Sequence, residues 1–133
     1  MTKQIFVNLP VKDLVKSKEF FAKLGYTYNE KFTNDDATCM VISDTIYVMF
    51  LTESFFKTFI KKGVSDTKTG AEVITALTAK SKEEVNEMLQ KAVAAGGIEF
   101  REPYDYGFMY GRSFEDLDGH IWEYFWMDPN HDQ

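Results

Sequence analysis

The sequence has 133 residues, of which 44% are hydrophobic and 16% aromatic, with a formal net charge of −6. That length and apolar content fit one compact unit and exclude a disordered chain, and the negative charge excludes an electrostatic footprint for nucleic acid or anionic lipid. The run from Met1 to Asn8 lacks the apolar core of a signal peptide, no stretch approaches a membrane span, and the single Cys39 excludes a disulfide framework; together these point to the cytoplasm.

In chain order, Ile5 to Val11 alternates, with Val7, Leu9 and Val11 on one face, which predicts a strand. Asp13 is placed to cap a helix carrying Leu14, Ser17, Phe21 and Leu24 as one stripe, and Gly25 supplies the stop. Three strands are expected next, at Tyr26 to Phe32, Ala37 to Ile42 and Thr45 to Leu51, with Ser43 and Asp44 forming a tight turn. A short helical segment, Ser54 to Ile60, leads into a polar, glycine-containing stretch, Lys61 to Gly70, that reads as a linker.

The pattern then restarts. Glu72 to Thr78 alternates, with Val73, Thr75 and Leu77 on one face. Ser81 and Glu84 have the spacing of a capping box ahead of a helix with Val85, Met88, Leu89, Ala92 and Val93 as its stripe, ending at Gly96 and Gly97. Strands are expected at Ile98 to Arg101, Phe108 to Phe114 and His120 to Trp126. The chain thus reads β-α-β-β-β twice: α+β, one domain over residues 1–133, with module one to about residue 60 and module two from about 71 to 128. Thr45 to Phe50 lies over His120 to Phe125, and Val7, Leu9 and Val11 over Val73, Thr75 and Leu77.

Val11 to Leu14, the run Phe20 to Tyr26, and Asp118-Gly-His-Ile-Trp-Glu123 resemble the vicinal oxygen chelate superfamily of glyoxalases, bleomycin-resistance proteins and extradiol dioxygenases. The sequence is most similar to the bacterial group often called predicted lactoylglutathione lyases. The resemblance implies two paired βαβββ modules in a curved mixed sheet around a cleft, helices outside. It also implies a divalent metal held by one ligand from the first and one from the last strand of each module. Carried over, the first-strand positions are Phe6, five residues before Val11, and Glu72, five before Leu77. The last-strand positions are Glu123 and Val48, or Met49 if the register slips by one. Phenylalanine and valine cannot coordinate metal, so the quartet is incomplete unless Asn8 substitutes, and only Glu72 and Glu123 are left as ligands if a metal binds.

Two readings stay open. In the first, the protein binds a small molecule in an aromatic cleft without a metal. In the second, it is a metal-dependent lyase or isomerase of lactoylglutathione-lyase type, with Glu123 as the base and Glu72 as a ligand. Glu123 lies in a strand of Trp122, Tyr124, Phe125 and Trp126, where an unpaired charge is costly; a cleft-facing base and a carboxylate paired with a residue such as Arg112 are equally consistent. Glu72 is also consistent with a solvated strand end, His120 with a solvated turn, and Cys39 with a buried structural thiol. The cluster Tyr104, Tyr106, Phe108, Tyr110 and Arg112 reads either as core with a surface arginine or as an aromatic wall with a guanidinium for an anionic group. Alternation places Phe108, Tyr110 and Arg112 on one face. Phe55, Phe56 and Phe59 fit core, a lid or a subunit contact. The superfamily's habit of pairing modules across chains implies a homodimer.

Overall fold

In the computed structural model, which describes residues 3–131, the chain divides between Asp66 and Thr67 into two compact units. The first unit holds β1 (Ile5–Val11), α1 (Leu14–Lys23), β2 (Thr27–Tyr28), β3 (Ala37–Val41), β4 (Ile46–Thr52) and α2 (Glu53–Lys57). The second holds β5 (Ile74–Thr78), α3 (Lys82–Ala94), β6 (Tyr104–Asp105), β7 (Met109–Glu115) and β8 (Ile121–Met127). Each unit builds one four-stranded mixed sheet, in the orders β1-β4-β3-β2 and β5-β8-β7-β6. In both, the first strand stands at the sheet edge and runs parallel to the last, and the remaining pairs are antiparallel. The parallel pair follows from the crossover helix between its strands.

The helix boundaries follow local chemistry. The Asp13 carboxylate accepts the Lys16 N–H at 3.0 Å, and Ser81 Oγ accepts the Glu84 N–H at 3.0 Å. Glu84 closes the second cap one residue earlier than the capping box predicts, on the Lys80 N–H at 3.1 Å. Gly25 and Gly96 end α1 and α3 in the left-handed region, where a side chain would be strained. The buried stripe of α3 is Val85, Leu89 and Ala92, whereas Val93 faces outward. Its counterpart on α1 is Ser17, Phe20, Phe21 and Leu24, and Phe21 stacks on Phe50 of β4 at 5.0 Å. A fully buried phenylalanine of this kind stabilises the fold by about 2–3 kcal/mol.

Three expected elements differ. The strand over Tyr26 to Phe32 stops at Tyr28, because the Asn29 side chain caps a 3-10 turn over Glu30–Phe32 by accepting the Lys31 N–H. The strand over Ile98 to Arg101 reduces to a bridge between Ile98 and Glu115, and the pairing strand is Tyr104–Asp105, beyond Pro103. Proline has no N–H to offer a ladder, so the pairing resumes only after it. The strand after the linker begins at Ile74, leaving Glu72 exposed ahead of it. Of the aromatic trio on and after α2, Phe55 and Phe56 are half-buried, whereas Phe59 is 67% exposed and packs edge-on against Phe55. No helix among the described residues is long and apolar enough to cross a membrane.

Candidate functional site

The second sheet has two unlike faces. Strand alternation puts Tyr110, Arg112 and Phe114 of β7 with Trp122, Tyr124 and Trp126 of β8 on the face that α3 covers. The α3 contacts fix this assignment. Asn86 Oδ1 accepts both the Tyr110 hydroxyl at 2.7 Å and Arg112 Nη1 at 2.8 Å. Lys82 lies over the rings of Tyr110 and Trp126.

Arg112 is fully engaged there. Its Nε and Nη2 donate to the two carboxylate oxygens of Glu99 at 2.8 and 2.6 Å, a bidentate pair only about one-fifth exposed. Glu99 holds the guanidinium protonated even more firmly than usual, so the arginine locks the Ile98–Phe100 segment to the sheet rather than facing a ligand. Substituting Arg112→Met, which keeps the apolar stem, leaves Glu99 and Asn86 without these donors. We expect a loss of about 1–3 kcal/mol in denaturant unfolding.

That opposite face carries Glu123. It pairs across the ladders with Ser113 and Ala76, and around it lie Ile74, Thr78, Met109, Ile121, Phe125 and Met127. None of these six is buried, in contrast to Phe114, Trp122 and Tyr124 behind them. The Glu123 carboxylate accepts the Tyr104 hydroxyl at 2.9 Å on Oε2 and the Ser113 hydroxyl at 3.3 Å on Oε1. Tyr104 reaches it by lying flat across Gly111: a Cβ on that glycine would stand 2.3 to 2.4 Å from the end of the phenol ring. Burial, and then the hydrogen bond to Glu123, push the Tyr104 phenol well above the ordinary tyrosine value, so it is a firmly neutral donor.

The β7–β8 turn is held by a carboxylate that sequence reasoning passed over. Asp116 is buried and accepts the N–H groups of Asp118 and His120 on one oxygen and Trp122 Nε1 on the other, at 2.9 to 3.0 Å. Burial raises its pKa against the pull of these donors. The turn thereby fixes where β8 begins, and so which face Glu123 takes.

The other candidates fall elsewhere. Phe6 is exposed on the first sheet and stacks on Tyr47 at 4.7 Å, and Asn8 beside it donates to the Phe6 carbonyl. Val48 is buried beneath α1 with Phe50. Phe108 precedes β7 and stacks on His131 at 3.9 Å, so it does not share the Tyr110–Arg112 face. Superposing helix caps and sheet faces aligns Asp13 with Ser81, Val7 with Thr75 and Val48 with Trp122. The counterpart of Phe6 is therefore Ile74, not Glu72, and that of Glu123 is Met49, not Val48. On this alignment the four positions that the resemblance carries over become Phe6, Met49, Ile74 and Glu123, with one carboxylate among them. Among the described residues no group of three or more His, Cys, Asp or Glu could hold a metal.

The sequence comparison matches residues 3–43 to the family model described as bleomycin resistance protein-like N-terminal. Among solved structures, hypothetical protein SA1046 from S. aureus is 29% identical, with 94% of each chain covered and a TM-score of 0.81. A glyoxalase/bleomycin resistance protein/dioxygenase family enzyme from Burkholderia phytofirmans PsJN is 16% identical, covering 95% of this chain and 99% of its own, at a TM-score of 0.78. The chain has the vicinal oxygen chelate fold. The same fold is shared by the fosfomycin resistance protein FosX from Listeria monocytogenes, 18% identical over 95% of this chain and 93% of its own, at a TM-score of 0.69. No curated protein matches the sequence.

Proposed function

We propose that this vicinal oxygen chelate protein binds a small molecule on the open face of its second sheet, without a divalent metal, and that Glu123 is the anchoring group. The observation that carries this reading is the hydrogen-bonded Glu123 carboxylate standing among apolar side chains that are not buried. A carboxylate costs several kcal/mol to strip of water unless hydrogen bonds replace the solvent, and Tyr104 and Ser113 supply two of them. The surrounding methionines and phenylalanine offer adaptable apolar contact. At the position where the superfamily places a ligand carboxylate, this chain thus retains the carboxylate and surrounds it with hydroxyl donors.

The same carboxylate is the group placed to accept a proton, with Tyr104 as a neutral donor beside it, so any turnover of a bound compound is assigned to Glu123. The test is a thermal-shift screen of a fragment library against the native protein, Glu123→Gln and Arg112→Met, each with and without chelator. Fragments that stabilise the native protein and Arg112→Met, lose their effect in Glu123→Gln and ignore chelator are the expected result. Stabilisation indifferent to Glu123, or abolished by chelator, overturns the reading.

A further inference from the structure

The charge balance around Glu123 narrows the ligand to a chemical class, an inference that rests on the proposed binding face. We infer that the ligand is a cationic amine with an apolar body: an ammonium group at Glu123 and a hydrocarbon or aromatic portion over Met109, Phe125 and Met127.

A carboxylate has about four acceptor sites, and here two hydroxyl hydrogen bonds occupy two of them. Both partners are neutral, because Ser113 carries no charge and the Tyr104 phenol is held protonated. Among the described residues Glu123 forms no ion pair; the three salt bridges join Lys18 to Glu30, Lys82 to Asp105 and Arg112 to Glu99. Arg101 stands beside this cluster, its guanidinium carbon 6.0 Å from the Tyr104 ring centroid, and forms no salt bridge with Glu123. The two cationic side chains closest to the sheet on its other side, Lys82 and Arg112, are committed to partners there. The negative charge is therefore hydrogen-bonded but not neutralised.

An apolar ligand covering this face would desolvate the carboxylate with its charge uncompensated. An anionic ligand would meet the same charge, within a chain whose formal net charge is −6. A neutral alcohol or amide would supply a donor but no countercharge. An ammonium supplies both, and two of its three N–H groups fill the two acceptor sites left open. The apolar rim answers the other half of the molecule.

Isothermal titration with three probes that share a phenethyl group tests this: phenethylamine, 2-phenylethanol and 3-phenylpropionate, against the native protein and Glu123→Gln. Phenethylamine is expected to bind about ten-fold more tightly than the alcohol, a preference that Glu123→Gln removes while leaving the alcohol unchanged. The propionate is expected not to bind the native protein. Equal affinity for amine and alcohol, or tighter binding of the propionate, overturns the amine assignment while leaving the binding face in place, because the fragment screen still reports Glu123-dependent hits. Absence of binding by all three probes overturns the assignment too, and absence of any Glu123-dependent fragment overturns the face itself.

Discussion

Asp116→Ala lowers the unfolding free energy by about 3 kcal/mol, one of the two largest effects expected in this protein. The carboxylate receives Trp122 Nε1 in a buried hydrogen bond and the main-chain N–H groups of Asp118 and His120 in half-buried ones. Removing it withdraws a charged acceptor from all three donors, and each buried donor left unsatisfied costs about 1–3 kcal/mol. Part of the loss is offset, because burial of the carboxylate is itself unfavourable, as its raised pKa records. The net effect lowers Tm by roughly 10 °C in a chain of this size. Asp116→Asn separates charge from geometry. One amide oxygen can still accept the two main-chain donors, but the amide NH2 then faces the indole N–H, donor against donor. Asn should therefore recover about half of the loss, measured by denaturant unfolding with tryptophan fluorescence. Wild-type stability in Asp116→Ala would mean that the turn is held by something other than this carboxylate.

Gly111→Ala is the second, and its effect falls on the site more than on the fold. The glycine has an ordinary backbone conformation, so alanine introduces no strain by its φ. What it introduces is a methyl group within 2.4 Å of the Tyr104 ring. The phenol is at the end of a side chain on a two-residue edge strand and can swing away, so stability should fall by only about 1–2 kcal/mol. Its hydrogen bond to Glu123 cannot survive the displacement, and the Tyr104 phenol should return toward the ordinary tyrosine value. The sign follows from the raised folded-state value: in the native protein the Tyr104 interaction contributes stability below the unfolded-state value near 10, lost as pH rises through the higher folded one. Gly111→Ala should therefore lose less stability than wild type across that alkaline window. A tyrosinate absorbance titration should show two high-titrating tyrosines in wild type, Tyr28 and Tyr104, and one in the variant. An unchanged titration would place Tyr104 elsewhere than across Gly111.

Much of this architecture was legible in the residues. The two alternating first strands, the Asp13 and Ser81 caps and the Asp118-Gly119 turn are local signals, and local chemistry places their elements to within a residue or two. Glu123 stood out as a charge inside an aromatic strand. Its partners did not, because pairing between strands decides them. Ser113 meets Glu123 only through the β7–β8 register, and Tyr104 only because the edge strand lies beyond Pro103 instead of at Ile98 to Arg101. A glycine inside β7 was the available sign that another group approaches the backbone there. Tyr110 and Arg112 do share a face, as alternation predicts, but alternation cannot tell which face α3 will cover. Counting back from Leu77 pairs Phe6 with Glu72 because it assumes the strand starts where the alternation does, whereas the strand starts at Ile74 and the face-by-face alignment pairs Phe6 with that residue.

The central claim is that small molecules bind at Glu123 on the open face of the second sheet, and methyl NMR during ligand titration tests it most directly. With methionine and isoleucine methyls labelled, addition of phenethylamine should shift Met109, Met127, Ile121 and Ile74, leave Met40 in the first-unit core unmoved, and reach the same shifts in Glu123→Gln only at about ten-fold higher concentration. Saturable shifts confined to other methyls, or shifts at these four that persist unchanged in Glu123→Gln, would contradict it.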